Sequence, residues 1–325
     1  MKAVVYQRYG APEVLHVAEV ERPHAKDDEV LIKVHASEVT KSDCEIRSSK
    51  FPVKWFWLPL RLVFGVTKPR RQVLGGYLAG EVVAIGKDIS KFNVGERVFG
   101  TAGFRFGAHG EYVNLPEKQT LVRIPDNISY EKAAATPLGA LNAIHFMRLA
   151  NIKVGDKVLI NGAGGSIGTF ALQIARDMGA DVSVVDNGIK EAMLRSLGIE
   201  EFIDYTKESF ADRGKPYDVV FDMVAGSSYA DCIKVLKPAG RLLLGNSNIS
   251  KMIKCALTTR FTDKTAKFIF AKETEEELSH IASLLEEGRI TAVIDKVLPM
   301  EQAAEAHRLV ETEQRRGAIV LSIAQ

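Results

Sequence analysis

The sequence predicts an α/β protein of two domains, a barrel-like β domain joined to a doubly wound parallel sheet. Three observations predict it. The chain has 325 residues, enough for two domains at roughly 100–200 residues each. Its texture changes near Pro125, from short strands punctuated by Gly and Pro to strands that alternate with helical patterns. A strand, a glycine-rich turn and an amphipathic helix follow one another without interruption across 157–178.

Each element has its own signal. Val4, Val5 and Tyr6 open a short strand, and 14–20 offers a second. In 29–36, Val30, Ile32, Val34 and Ala36 alternate with Leu31, Lys33 and His35, the period of a half-buried strand. Segments 80–86 and 96–99 continue the pattern, and such spacing suggests a barrel-like domain. Beyond Pro125, strands are predicted at 157–160, 182–185, 202–205, 217–221 and 241–244. Helical periodicity lies between them. Ile167, Phe170, Ala171, Ile174, Ala175 and Met178 share one face. Strands alternating with helices predict a parallel sheet covered on both sides. After residue 263 the order is strand, helix (273–287), strand, helix (301–311) and strand (318–323).

Composition is that of an ordinary globular protein, with 46% apolar and 26% charged residues. A net charge of +2 gives no overall reason to expect nucleic acid or an anionic membrane as partner. Cys44, Cys232 and Cys255 are odd in number and form no C-x-x-C, which points to reduced thiols in a cytoplasm-like compartment. The N-terminus lacks the basic-then-apolar layout of a signal peptide. No run of about 18 apolar residues marks a membrane span.

The turn Asn161-Gly-Ala-Gly-Gly-Ser-Ile-Gly168 carries the strongest chemical signal. Its glycines at 162, 165 and 168 depart by one position from the usual G-x-G-x-x-G dinucleotide fingerprint. The physics is unchanged. Residues without Cβ let backbone approach a pyrophosphate and let helix pack close to strand. The first N–H groups of the helix then face phosphate charge. Gly162, Gly164, Gly165, Ser166, Ile167 and Gly168 are therefore the candidate phosphate cradle. At the end of the next strand, Asp186 is placed to accept from a ribose 2′-OH, which favours NAD. Lys190 and Tyr205 are placed to hold a 2′-phosphate, which favours NADP. Alternatively, Asp186 caps the helix beginning near Gly188.

At this point the chain resembles the medium-chain dehydrogenase/reductase superfamily, in its zinc-free quinone oxidoreductase (zeta-crystallin-like) branch. The resemblance runs through Phe92-Asn-Val-Gly-Glu-Arg-Val-Phe99, Gly107-Ala-His-Gly-Glu-Tyr-Val113, Ala133-Ala-Ala-Thr-Pro-Leu-Gly-Ala-Leu141, the glycine turn, Phe202-Ile-Asp-Tyr205 and Leu236-Lys-Pro-Ala-Gly240. It ends with Ala303-Ala-Glu-Ala-His-Arg308 and Arg316-Gly-Ala-Ile-Val-Leu321. It implies a GroES-like β-barrel catalytic domain (1–124 and 264–325) into which a Rossmann NAD(P)-binding domain (125–263) is inserted. The active site is expected in the cleft, and the assembly as a homodimer or tetramer. Backbone near Val224 and Gly245 is expected to touch ribose and nicotinamide.

The resemblance also implies that zinc is absent. Zinc-dependent relatives carry a Cys where this chain has Thr40, and a His-Glu pair where it has Gly75-Gly-Tyr77. The four-cysteine lobe is missing, with no Cys between 45 and 231. Threonine and glycine do not replace thiolate and imidazole as zinc ligands. Without that Lewis acid, reduction suits acceptors that take hydride readily, such as quinones and α,β-unsaturated carbonyls. NADPH is the expected cofactor, with NADH as the alternative. Enoyl-thioester reductases of the family place a proton-donating Tyr where this chain has Phe51. The proton source is therefore water or Tyr77, with Thr40 and Asp43 as candidate catalytic residues or as residues that only shape their loop. His109 and His145 receive no role. Two alternatives accompany quinone reduction: an alkenal or enone reductase, and a non-catalytic nucleotide-binding protein.

Residues 50–71 interleave apolar residues, including Trp55 and Trp57, with Lys50, Lys54, Arg61, Lys68, Arg70 and Arg71. They read as an apolar wall for a bulky lipophilic substrate, as a membrane-surface contact, or as a subunit interface or loop packed on its own domain.

Overall fold

A computed structural model describes residues 1–51 and 57–324, with the side chains of 57–59 outside the description. Trp55 and the side chain of Trp57 thus lie outside the described residues.

In chain order, the first segment contributes β1 (Lys2–Val5), β2 (His16–Glu19), β3 (Glu29–Val39), α1 (Lys41–Ser48), α2 (Trp57–Phe64), β4 (Tyr77–Ile85), β5 (Arg97–Thr101), β6 (Tyr112–Pro116), β7 (Leu121–Arg123), α3 (Tyr130–Ala134) and α4 (Pro137–Leu149). The middle contributes β8 (Lys157–Asn161), α5 (Ser166–Asp177), β9 (Asp181–Asp186), α6 (Glu191–Ser196), β10 (Glu201–Asp204), β11 (Tyr217–Asp222), α7 (Tyr229–Lys234), β12 (Leu236–Leu244), α8 (Ile249–Phe261) and β13 (Thr265–Phe268). The chain ends with α9 (Glu275–Glu286), β14 (Ile294–Pro299), α10 (Ala303–Glu311) and β15 (Ala318–Ser322).

Two compact units result, one of Met1–Leu138, Glu273–Gly288 and Ala292–Gln325, the other of Gly139–Lys272 and Arg289–Thr291. These limits differ from the 124 and 263 expected from sequence, for a local reason at each end. Helix α3 packs on β3 and β4 and so stays with the first unit. Strand β13 pairs with β12, Leu242 opposite Ala266, and so stays with the second.

In the first unit a seven-stranded sheet runs β14-β15-β3-β4-β5-β7, with β6 on β3. Strand β3 is its spine. It pairs with β4 along its length, with β6 over Glu29–Lys33 and with β15 beyond Ala36. Neighbours on both sides explain why β3 is buried nearly throughout, beyond the half-burial its alternation predicts. Val30, Ile32, Val34, Leu78, Val98, Leu115, Ile319 and Leu321 fill the core. Among residues 50–71, Phe64 is buried and stacks 6.5 Å from Phe51. Tyr9 donates to the carbonyls of Phe64 and Gly65, and Arg61 lies 3.9 Å over its ring. The described part of this insert is therefore tied to its own unit on one side, while Leu62, Val63 and Val66 stay exposed.

The second unit is a six-stranded sheet of order β10-β9-β8-β11-β12-β13, with every pairing parallel. The chain enters at the centre, builds outward through β9 and β10, then returns to build β11 to β13 on the other side. The reversal between β8 and β11 opens a crevice at the strand carboxyl ends, where such sheets bind nucleotides.

Candidate functional site

Strand β8 delivers Asn161 and Gly162 to that crevice. Gly162 has φ +88°, which a side chain rarely adopts, and its N–H donates to the Val185 carbonyl at 2.9 Å. The chain thus turns back over β9 before entering α5. Gly168 sits in the first turn of α5, where a Cβ would stand 2.5 Å from Ala163 Cα and from the Gly162 carbonyl oxygen. Close packing of helix on turn therefore requires glycine there. Gly165, the residue before α5, has φ −95° and ψ 175°, and a Cβ on it would meet nothing within 4 Å. That open face lies at the N-terminus of a 12-residue helix, beside Ser166 and Ile167. The positive end of the helix dipole lies at this face, the arrangement that favours an anion.

Asp186 ends β9 and is buried. Its carboxylate accepts from Gly164 N at 2.6 Å and from Asn187 N at 2.8 Å, and lies 3.1 Å from the buried ammonium of Lys190. Asp186 and Lys190, read from sequence as opposing determinants, are thus one ion pair against the glycine turn. The cap of the following turn is Asn187, whose side chain accepts from Ile189 N at 3.1 Å, and not Asp186. Tyr205 follows β10, its N–H donates to the Asp186 carbonyl, and its ring is 60% exposed. Val224 follows β11 with a side chain within 3.1 Å of a Cβ built on Gly162. Gly245 follows β12 and donates to the Asp222 carbonyl at 2.8 Å.

The carboxyl end of β11, beside β8 at the reversal point, carries a residue that sequence reasoning missed. Asp222 ends β11 and is completely buried. One oxygen accepts from Asn161 Nδ2 at 2.9 Å and from Val224 N at 3.1 Å, while the other accepts from Ser227 Oγ. Lys251 Nζ donates to the Ala225 carbonyl at 3.0 Å and reaches Ser227 Oγ at 3.4 Å. Burial pushes the Asp222 carboxyl up, against these hydrogen bonds. The group ties the ends of β8 and β11 and fixes the loop at 223–227. Asn161 precedes the glycine turn directly, but its partner lies 61 residues away, so no local pattern could show the bond.

In the first unit, Thr40 caps α1. Its hydroxyl accepts from Asp43 N at 3.1 Å and donates to Asp43 Oδ2 at 2.6 Å, and Thr40 N donates to the same oxygen at 2.9 Å. This is a reciprocal capping box. The S/T-x-x-D spacing of Thr40-Lys-Ser-Asp43 was a sequence signal for it. Asp43 Oδ1 also accepts from Gly75 N at 3.1 Å. Both residues are buried, so their first effect is to hold the entry to α1 against the 75–77 segment. Tyr77 opens β4, and its hydroxyl donates to Glu273 Oε1 at 2.6 Å. Burial, then the Glu273 charge, pushes the phenol well above its ordinary value, so it keeps its proton. His109 is buried with its Nε2 3.4 Å from the Glu38 carbonyl. Among the described residues no three His, Cys, Asp or Glu side chains gather as a metal-ligating group.

Comparison with known proteins bears on both units. The model of the alcohol dehydrogenase GroES-like domain matches residues 26–126, and that of the zinc-binding dehydrogenase matches 197–321. The chain is 30% identical to a quinone oxidoreductase of Sus scrofa over 99% of this chain and 97% of the relative. It is 29% identical to an NADPH-dependent alkenal/one oxidoreductase of Arabidopsis thaliana over 99% of this chain and 79% of the relative. A solved quinone oxidoreductase from Coxiella burnetii superposes with a TM-score of 0.88 at 28% identity, covering 100% of this chain and 99% of that one. With a parallel sheet of this order, a GroES-like unit and near-complete coverage at this identity, the chain belongs to the quinone oxidoreductase branch of the medium-chain dehydrogenase/reductase superfamily.

Proposed function

We propose that this protein is an NAD(P)H-dependent reductase of quinones or of α,β-unsaturated carbonyls, working without zinc. The observation that carries this is the Gly162–Gly168 turn at the sheet's reversal point, with an open face at Gly165 and Asp186 and Lys190 beside it. The fold implies a nicotinamide dinucleotide, and these residues fit one: a glycine cradle, a helix N-terminus for pyrophosphate, and a charged pair at the ribose position. When bound, the cofactor supplies the hydride.

The remaining work falls to side chains. The Lys190 ammonium, paired with Asp186 at 3.1 Å, keeps further N–H donors for a 2′-phosphate. NADPH is accordingly the proposed cofactor. Tyr77, kept protonated by burial and Glu273, is the proposed proton donor, its O–H turning from Glu273 to the substrate. Thr40 and Asp43 hold the loop that leads into α1. The Thr40 hydroxyl, at the position of a zinc-ligating cysteine in zinc-dependent relatives, is already committed to Asp43.

A homo-oligomer is part of the proposal, supported by the open edge of β13 and the exposed Ile269 and Phe270 beyond it. A cytoplasmic site is proposed as well, supported by three buried free thiols. No helix among the described residues is long and apolar enough to cross a membrane.

The test is steady-state oxidation of NADPH and NADH against a benzoquinone, a naphthoquinone, a 2-alkenal and an enoyl thioester, with and without a chelator. Chelator-insensitive turnover of a quinone or alkenal is expected. Cofactor binding with no turnover on any acceptor would establish a non-catalytic nucleotide-binding protein instead, and loss of turnover on chelation would restore zinc.

A further inference from the structure

Helix α8 is turned the wrong way round for a helix covering a sheet. Such a helix buries its apolar stripe and shows polar residues to solvent. Here the side chains against the sheet are Lys251 and Cys255, both buried, with Thr258 and Thr259. Thr258 Oγ1 accepts from the Tyr229 hydroxyl at 2.8 Å, and Thr259 Oγ1 donates to the Ala266 carbonyl at 3.0 Å. Solvent receives Ile249, Ile253, Leu257 and Phe261, spaced four residues apart along one stripe, with Met252 beside them. Phe261 is 72% exposed and Ile253 56%. Single exposed apolar residues are ordinary, but a continuous stripe along one helix marks a surface that something covers.

Charge indicates what covers it. Lys254 and Arg260 are exposed on α8, and Lys264, Lys267 and Lys272 follow it, against a single acid, Asp263, which pairs with Lys264. Lys251 is buried and takes no part in this face. The overall charge of +2 hides this concentration. Lys254 and Arg260 lie on the exposed part of α8 itself. Two copies of α8 laid stripe to stripe would bring Lys254 and Arg260 against their own counterparts with no acid on the helix to offset them, whereas the β13 edge lies outside this stripe. An anionic bilayer attracts the cations and takes up the apolar stripe, which is the pattern of a helix lying in a lipid interface. A nucleic acid would use the cations and leave the stripe in water.

We propose that α8 is a docking surface for an anionic phospholipid bilayer, with Ile249, Ile253, Leu257 and Phe261 in the acyl boundary and Lys254 and Arg260 at the headgroups. The inference stands apart from the reductase proposal, because binding is read on vesicles without turnover.

The experiment is co-sedimentation of the full chain with vesicles of phosphatidylcholine alone and with about one-third phosphatidylglycerol, alongside light scattering for mass. The wild type is expected to pellet with the anionic vesicles, to stay in solution with neutral ones, and to be released as salt rises. An Ile253→Asp, Leu257→Asp double variant is expected to lose the pellet while keeping wild-type mass and circular dichroism. A Lys254→Gln variant is expected to weaken the partition by about fivefold, the effect of one cation near such a surface. Failure of the wild type to pellet with anionic vesicles overturns the proposal. So does a fall in mass of the double variant, which would make the stripe a subunit interface, or a Lys254→Gln partition equal to the wild type.

Discussion

Two glycines three residues apart separate binding from folding. Gly168→Ala places a Cβ 2.5 Å from Ala163 Cα and the Gly162 carbonyl oxygen, where van der Waals contact needs about 3.4 Å. Both neighbours are backbone, so the turn or the start of α5 must move by nearly an ångström. Overpacking of this kind costs about 1–3 kcal/mol. In a chain of 325 residues this lowers the melting temperature by a few degrees, about 2–4 °C per kcal/mol. Gly165→Ala meets nothing within 4 Å, and φ −95° with ψ 175° suits alanine. Its only folding cost is the poorer cap, about 1 kcal/mol or less. Its methyl group, however, occupies the open face assigned to pyrophosphate, and losing even one charge-assisted hydrogen bond costs about 1.5–3 kcal/mol. Fluorescence titration with NADPH should therefore show Gly165→Ala weaker by about 10- to 100-fold, with a melting temperature near wild type. Gly168→Ala should lose both. If Gly165→Ala binds NADPH as the wild type does, the pyrophosphate does not rest on this face and the assignment is wrong.

Four further outcomes follow from the geometry. Asp222→Ala strands Asn161 Nδ2, Val224 N and Ser227 Oγ, and should cost about 2–4 kcal/mol in chemical denaturation, whereas Asp222→Asn keeps an acceptor and should cost less than half as much. Tyr77→Phe should lower kcat for a 2-alkenal by about 100-fold with little change in KM for NADPH, and a change of only a few-fold would assign the proton to water. Lys190→Ala should raise KM for NADPH by about tenfold and leave KM for NADH nearly unchanged, and equal changes for both cofactors would remove Lys190 from 2′-phosphate recognition. Glu45 titrates at about 7, raised by burial, then by the Glu313 charge against the opposing pull of Lys41. The folded state therefore binds more protons than the unfolded one between about pH 4.5 and 7, and stability from this group is lost as pH rises through that window. Glu45→Gln should raise the melting temperature at pH 8 and not at pH 4.5, and an equal change at both would place the effect elsewhere.

The sequence by itself determined the nucleotide-binding half almost completely. Strand, glycine turn and helix are contiguous in 157–178, and each is encoded by a local pattern, namely buried run, missing Cβ and helical period. Asp186, Lys190 and Tyr205 could be proposed as cofactor contacts because the fold fixes their distance from that turn along the chain, but the ion pair that joins Asp186 to Lys190, read as alternatives, was not legible. The capping box at Thr40 and Asp43 was legible too, as spacing, although its buried setting was not.

Tertiary structure decided what depends on residues far apart. Asp222 meets Asn161 across 61 residues, and Tyr77 meets Glu273 across 196, so neither partner carries a local mark of the other. Pairing of β13 with β12 moved the domain limit past 263, because a strand of four residues takes its sheet from its neighbour and not from its own sequence. Helix α8 is the sharpest case. No helix is read from sequence over 249–261, and although Ile249, Ile253, Leu257 and Phe261 recur every four residues, only the packing of Cys255 against the sheet and the Lys251 bonds show that this stripe faces outward. Side-chain period fixes which residues share a face, and burial against the rest of the chain fixes where that face points.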